Sequence, residues 1–446
     1  MLSPIYVAIL LIISILLIVL LSSKYKFNTF YVLFFVAILV GLAAQFSGEE
    51  VIKHLKAGFG HTLEKIGLLI ILGTTLGVIL DKTNATLSIA NYILKKTGEK
   101  NAGIAITLIG FMIGLPIFCD SGFIVLSGLL SSLVKKVKNS QVFFTICLAG
   151  SLYAVHCLVP PHPGITAAVG LMNVDLGQTM LLGTLFSVPC AMVAYFWGKI
   201  LSKRTSDVVV ENPSEEVFFV ESQLPNPFIS FLPIIVPILL ISLKSLVSID
   251  HSATDSTFKG LINFMGEPIV ALIVGILFSL SLFKKMEKKM LNDLLENAIE
   301  KAGPILAIIA IGGAFGEIIK MLDLGKVFGS TLTQYNVGLL IPFLLTVIFK
   351  TAQGSSTVAI ISAASIIFPL LTSLGLSTSW DTQMALMAMG AGSMMISHAN
   401  DAYFWVVSRF GNLSTDVALR TYTIMTVLMG LVGFISVSIV HYFWHP

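Results

Sequence analysis

The sequence predicts an all-α polytopic membrane protein, an inverted repeat of five spans per half with re-entrant hairpins and discontinuous helices. Three observations carry that expectation. Mean hydropathy is +0.92 and 11% of residues are charged, against about 25% in a soluble domain, so bilayer rules apply rather than core-burial rules. Apolar runs of spanning length recur along the whole 446-residue chain. Four short stretches, two in each half, interrupt those runs with polar, charged, Gly or Pro residues.

The elements follow in order. Residues 4–21 are preceded by no basic residue and followed by no small-residue cleavage site, so they read as a retained span rather than a signal peptide. Runs near 29–45 and 66–80 come next. The stretch 102–133 contains the first break, GLPIFCDSGF at Gly114–Phe123, and 141–171 contains the second, HCLVPPHPG at His156–Gly164. A run at 178–201 closes the first half, 1–201. The polar connection 202–227 carries Asp207, Glu211, Glu215, Glu216 and Glu221 with Pro213, Pro225 and Pro227, and reads as a cytoplasmic linker. The second half, 228–446, has runs near 228–247, 267–283, 301–320 and 420–443. Its breaks are AQGSSTV at Ala352–Val358, within 337–374, and SHANDAYF at Ser397–Phe404, within 382–410.

A faint repeat crosses the linker. Glu64-Lys65-Ile66-Gly67 recurs as Glu300-Lys301-Ala302-Gly303, and Gly77 matches Gly313 at the same offset of 236; His156 falls near His398 at a slightly different one. Charge placement supplies an independent check. The positive-inside rule puts Lys24/Lys26, Lys95/Lys96/Lys100, Lys135/Lys136/Lys138, Lys199/Lys203/Arg204, Lys284/Lys285/Lys288/Lys289 and Arg409/Arg420 in the cytoplasm. Because Lys100 and Lys135 flank 102–133, that stretch must enter and return, a hairpin with Asp120-Ser121-Gly122 near its tip. By symmetry 337–374 is a second hairpin, with Gln353–Thr357 near its tip. Ten spans plus two hairpins result. Five spans per half force the second half to be inverted, and both termini come out extracytoplasmic.

Composition also excludes. A net charge of +3 is too small for nucleic-acid binding. Cys119, Cys147, Cys157 and Cys190 form no CxxC and no metal-ligand spacing, and no HExxH or P-loop is present, so no metal or other cofactor is expected. Gly312-Gly313-Ala314-Phe315-Gly316 reads as helix packing. Cys119 and Cys157 lie inside the breaks, where they either pack or line a cavity.

The breaks carry the chemistry. Ionisable and backbone-breaking residues at membrane depth are expensive and usually line a ligand or ion path, and four paired breaks point to a transporter. Asp120 is the only carboxylate between Glu99 and Asp175. At bilayer depth it must face water, a cation or a proton, or else form a structural salt bridge. In the second break, Pro160-Pro161-His162-Pro163 stops a helix, and Gly164-Ile165-Thr166 opens a half-helix whose N-terminus suits a carboxylate. His162 titrates near neutral pH and can donate to an anion; a satisfied histidine at a kink is the plainer alternative. In the third, Gln353, Ser355, Ser356 and Thr357 around Gly354 suit a polyhydroxylated ligand or a desolvated cation, or serve close helix packing. Lys350 precedes them, fitting either an anion contact or a snorkelling position. The fourth brings His398, Asn400 and Asp401 together, with Tyr403, Trp405 and Arg409 as interface anchors.

Together these segments resemble the gluconate permease family, the GntP-type symporters of the ion transporter superfamily. The matching blocks run in order over most of the chain: Gly58–Gly77, Gly114–Leu126, His156–Ala168, Ala352–Ala364 and Gly390–Thr421. The resemblance implies a proton-coupled importer of gluconate or related sugar acids, D-serine or other small hydroxy acids, in the bacterial inner membrane, not an enzyme, and a homodimer. Many family members carry FFE where this chain has Phe118-Cys119-Asp120. The carboxylate is kept but is one methylene shorter and is followed by Ser121, so the cavity shape must differ.

The expected site follows. Ser121, Gly122, Pro161, His162, Gly164, Thr166, Gln353, Gly354, Ser355, Ser356, Thr357 and Asn400 bind a small carboxylate. Asp120, His162, His398 or Asp401 carries the proton. A sodium-coupled carboxylate transporter is the alternative within the class, since hydroxyl-bearing hairpin tips also suit Na⁺. An intramembrane hydrolase built on Ser121 or Ser355 is a distant second, lacking any nucleophile–base motif.

Overall fold

The computed structural model describes residues 3–137, 140–202, 224–249, 257–283, 287–322 and 338–444. Most of the expected linker, and Lys135, Lys136, Lys138, Lys203, Arg204, Lys284 and Lys285 of the basic clusters, lie outside the described residues or side chains. The described residues form helices and their connections, with no strand among them.

The helices are α1 (Pro4–Val19), α2 (Thr29–Ala43), α3 (Gly48–Lys82), α4 (Ala85–Thr97), α5 (Ala102–Gly114), α6 (Cys119–Val137), α7 (Gln141–Leu158), α8 (Pro163–Met172) and α9 (Leu176–Ser202). Then come α10 (Pro227–Ile249), α11 (Thr257–Met265), α12 (Pro268–Leu280), α13 (Lys288–Met321), α14 (Leu340–Gln353), α15 (Ser356–Ile367), α16 (Ser379–Met394), α17 (Ala402–Phe410), α18 (Thr415–Ala418) and α19 (Ile424–Phe443). Six described helical segments are long and apolar enough to cross a bilayer, and the pair α11/α12, bent by 68°, makes a seventh. Shorter apolar helices include α5, α14 and α15, whose 10–17 residues belong to discontinuous elements. This is an all-α, polytopic membrane architecture.

One order recurs in both halves: a very long helix (α3, α13), a broken pair (α5/α6, α14/α15), a second broken pair (α7/α8, α16/α17) and a long closing helix (α9, α19). The long helices pack on each other and run in opposite directions. His54 and Gly58 near the start of α3 meet Glu317 and Gly313 near the end of α13, whereas Val78 packs on Leu294 and Ala298. Both greatly exceed the apolar runs 66–80 and 301–320. A span needs about 20 residues, yet α3 has 35 and α13 has 34. The additional turns are polar. Ser47 and Glu50 form a capping box that starts α3, and Glu49, Lys53, Lys56 and Glu64 follow on it. A hydropathy reading truncates such amphipathic extensions. Gly312, Gly313 and Gly316 press on Ile361, Thr62 and Ser365, so the glycine cluster does serve helix packing.

Candidate functional site

All four breaks converge. A cavity of about 370 Å³ is lined by Asp120, Ser121, Gln353, Gly354, Ser355, Ser356, Thr357, Asn400 and Asp401, together with Phe118, Cys119, Tyr153, His156, Pro163, Ile305, Ile308, Val358, Ala402 and Tyr403. The first turns of α6, α8, α15 and α17 therefore border one space. A helix N-terminus carries unpaired N–H groups and the positive end of the dipole, so those of α8 and α15 suit an anion, while that of α6 carries Asp120 and that of α17 already holds the Asp401 carboxylate.

Local sequence builds each terminus. Pro163 occupies the first turn of α8, where its missing N–H costs nothing. Ser355 caps α15, its hydroxyl accepting from the Val358 N–H at 3.3 Å. Asp401 caps α17, its Oδ1 accepting from the Tyr403 N–H at 2.9 Å. Gly164 lets α8 and α15 meet tip to tip, since a Cβ there would lie 2.8 Å from the Thr357 Cα. Gly354 ends α14 at φ +78°, and a Cβ on it would sit 2.1 Å from the Asn400 carbonyl oxygen. No other residue fits that turn.

Polar groups in the cavity are unequally partnered. Asp120 accepts a weak contact from the Cys119 Sγ at 3.8 Å and has no ion pair among the described residues. Both amide atoms of Gln353 and Nδ1 of His156 are buried without hydrogen-bond partners. Orphaned buried polar atoms facing a cavity are what a polar ligand would satisfy. Asp401 is saturated instead: its Oδ2 accepts from the Lys350 Nζ at 2.6 Å and from the Ser397 hydroxyl. The Asn400 amide nitrogen donates to the Thr351 carbonyl at 2.8 Å and the Ala352 carbonyl at 3.2 Å, so it fastens the loop 395–401 to the end of α14.

Other expected residues lie elsewhere. His162 is buried, and its Nε2–H donates to the Gly114 carbonyl at 2.5 Å, tying the second break to the first. His398 does the same in the other half, its Nε2 lying 3.1 Å from the Thr351 carbonyl. These two histidines are 236 residues apart, the offset of the Glu-Lys-x-Gly repeat. His162, not His156, is therefore the partner of His398. Pro161 and Thr166 turn the other way, into a small apolar recess of about 30 Å³ beside Pro116 and Pro160. Gly122 packs on Leu152. Cys119 lines the cavity and Cys157 does not.

Residues 6–443 match the profile of the GntP family permeases. The chain belongs to the GntP permease family. This GntP permease is 31% identical over 440 residues to the inner membrane permease YgbN of Escherichia coli K12, covering 95% of both chains. A gluconate permease of Pseudomonas aeruginosa is 29% identical over 429 residues, covering 94% of both. In fold it is similar to the YdaH transporter of Alcanivorax borkumensis, with a TM-score of 0.65 at 15% identity over 89% of each chain. The GntP assignment makes the chain a permease rather than an enzyme.

Sequence reasoning missed the role of Lys350. Its side chain is fully buried, which excludes snorkelling, and it pairs with a carboxylate 51 residues away. It also missed Tyr153, an ordinary member of an apolar helix by its sequence, and left His156 out of the expected site although it placed that histidine in the second break. The His156 position inside the HxxxPPHPG pattern was the available signal.

Proposed function

We propose that this GntP permease imports gluconate or a related small hydroxy or sugar acid together with protons. The observation that carries the reading is the convergence of four half-helix N-termini on one cavity that also holds Asp120 and the unpartnered Gln353 amide. Its volume, about 370 Å³, falls in the ~300–1,000 Å³ range of small-molecule sites. The substrate carboxylate lies against the first turns of α8 and α15, with Ser355, Ser356 and Thr357. Gln353, Ser121 and His156 meet its hydroxyls. Gly164 and Gly354 shape the floor; Gly122, Pro161, Thr166 and Asn400 hold the surrounding backbone in place.

Charge balance favours Asp120 as the proton carrier. Lys350 and Asp401 cancel, leaving Asp120 as one unbalanced negative charge at the cavity wall. An anionic substrate beside it meets a like charge unless Asp120 takes up a proton, so anion and proton bind together. His162 and His398 are engaged with carbonyls and Asp401 with Lys350, which makes them poorer carriers. The antiparallel α3 and α13 support inverted halves, 1–201 and 228–446. The permease works in the bacterial inner membrane, in line with the relative named an inner membrane permease, and the family resemblance extends the reading to a homodimer.

Uptake of radiolabelled gluconate into proteoliposomes under an inward proton gradient tests this, with and without sodium and with unlabelled glycerate and D-serine as competitors. Sodium-independent, proton-driven gluconate uptake is expected. Uptake that needs sodium and ignores the proton gradient would transfer the reading to a sodium-coupled carboxylate transporter.

A further inference from the structure

Lys350 sits where a free cation could sit. Its Nζ lies 2.6 Å from the Gly354 carbonyl oxygen and 2.6 Å from Asp401 Oδ2, and 5.7 Å from the centroid of the Tyr153 ring. The Ser397 hydroxyl bonds the same carboxylate oxygen. The ammonium thus faces a backbone carbonyl, a carboxylate and an aromatic face, and the carboxylate is in turn held by a hydroxyl. The first two are oxygen donors of the kind that hold hard cations. The Gly354 carbonyl adds the negative end of α14, whose last turn contains Lys350 itself.

A positive charge at this spot is an electrostatic requirement. Asp401 is nearly enclosed, with 7% of its side chain accessible, and Lys350 is wholly enclosed at 0%. A buried carboxylate without a counter-charge must either take up a proton or acquire another cation. An entry route exists, because Gly354 and Asp401 both line the substrate cavity. The arrangement belongs to the second half alone. The last turn of α5 holds no basic residue where that of α14 holds Lys350, and the N-cap of α8 is His162 where that of α17 is Asp401. The matching helix ends of the first half therefore carry no such charge pair.

We propose that Lys350 fills a monovalent-cation site as a tethered ammonium, and that truncating it opens a site for a free alkali cation between the Gly354 carbonyl and Asp401. The wild-type chain needs no such ion there because the ion is covalently attached. The permanent occupant also fixes the charge of the hairpin tip, leaving Asp120 as the group that can change charge during transport.

The test is thermal unfolding of the purified full-length permease in detergent, in lithium, sodium, potassium or choline chloride at one ionic strength. Wild type, Lys350→Ala, Lys350→Ser and Lys350→Ala/Asp401→Asn are compared. The wild type is expected to unfold at the same temperature in all four salts. Each single variant should unfold several degrees lower in choline, and one alkali cation should restore it saturably. The double variant should show no such restoration. The proposal is overturned if the single variants respond to salt as the wild type does, or are restored by lowering pH but by no cation. It is equally overturned if neither folds in any salt, since a replaceable ion is what is asserted, or if the wild type itself shows saturable stabilisation by an alkali cation. Unfolding is read without substrate, so a failure here is distinct from a failure of gluconate uptake.

Discussion

The two halves of this permease repeat one backbone plan but treat charge in opposite ways. In the first half the hairpin tip presents Asp120 to the cavity with no ion pair among the described residues, and the last turn of α5 carries no lysine. In the second half the first turn of α15 carries no carboxylate, and the carboxylate at the cavity, Asp401, is locked by Lys350, Ser397 and the Tyr403 N–H. Both halves share the uncharged part of the plan: a histidine from one broken pair satisfies a carbonyl at the end of the other pair's first helix, His162 on Gly114 and His398 on Thr351. The shared device is scaffold. On the proposed function the difference carries the coupling: the second half is electrostatically finished, while the first keeps a charge that an arriving anion would require to be neutralised.

The comparison can be broken most severely at Lys350. Lys350→Met leaves Asp401 buried and unpaired, and in choline-based buffer it should destabilise the fold by about 3–5 kcal/mol, with Lys350→Met/Asp401→Asn recovering most of it. Denaturant or thermal unfolding in detergent measures both. If Lys350→Met were as stable as wild type, the second half would not be locked by this pair.

The shared histidine device gives a smaller effect of unequal size. His162→Ala leaves a buried carbonyl without a donor and should cost about 1–3 kcal/mol. His398→Ala should cost less, because His398 is only half-buried and Asn400 also donates to the Thr351 carbonyl. Equal losses would undermine the hydrogen bond as the cause. Gly354→Ala should cost more than about 1 kcal/mol, because its φ is +78° and a Cβ collides with Asn400. Smallest is Gln353→Leu. Losing one substrate hydrogen bond of about 0.5–1.5 kcal/mol should raise the KM for uptake roughly 2–10-fold at unchanged membrane abundance. An unchanged KM would remove Gln353 from the site.

What could be read from sequence, and what could not, divides along the same physical line. The breaks were legible because Pro116, Pro160, Pro161 and Asp120 violate the rule that a bilayer span is apolar and unbroken. Their convergence on one cavity followed from pairing them across the linker. Partnership was not legible. Lys350 ends an apolar run, where lysines usually snorkel, and nothing local marks Asp401 as its mate. His162 reads as an anion donor, with a satisfied histidine at a kink as the alternative, and nothing local names its partner, the Gly114 carbonyl at the other break. The polar turns of α3 and α13 were invisible to hydropathy because they continue a helix outside the apolar run.

The central claim is that Asp120 couples the proton to the anion. The most direct measurement is Asp120→Asn in proteoliposomes, scored for gluconate accumulation under an inward proton gradient and for gluconate counterflow with no gradient. The account predicts that accumulation falls to background while counterflow persists, because a permanently neutral side chain still admits the anion but carries no proton. Accumulation at the wild-type level would contradict it and move the coupling away from the first-half hairpin.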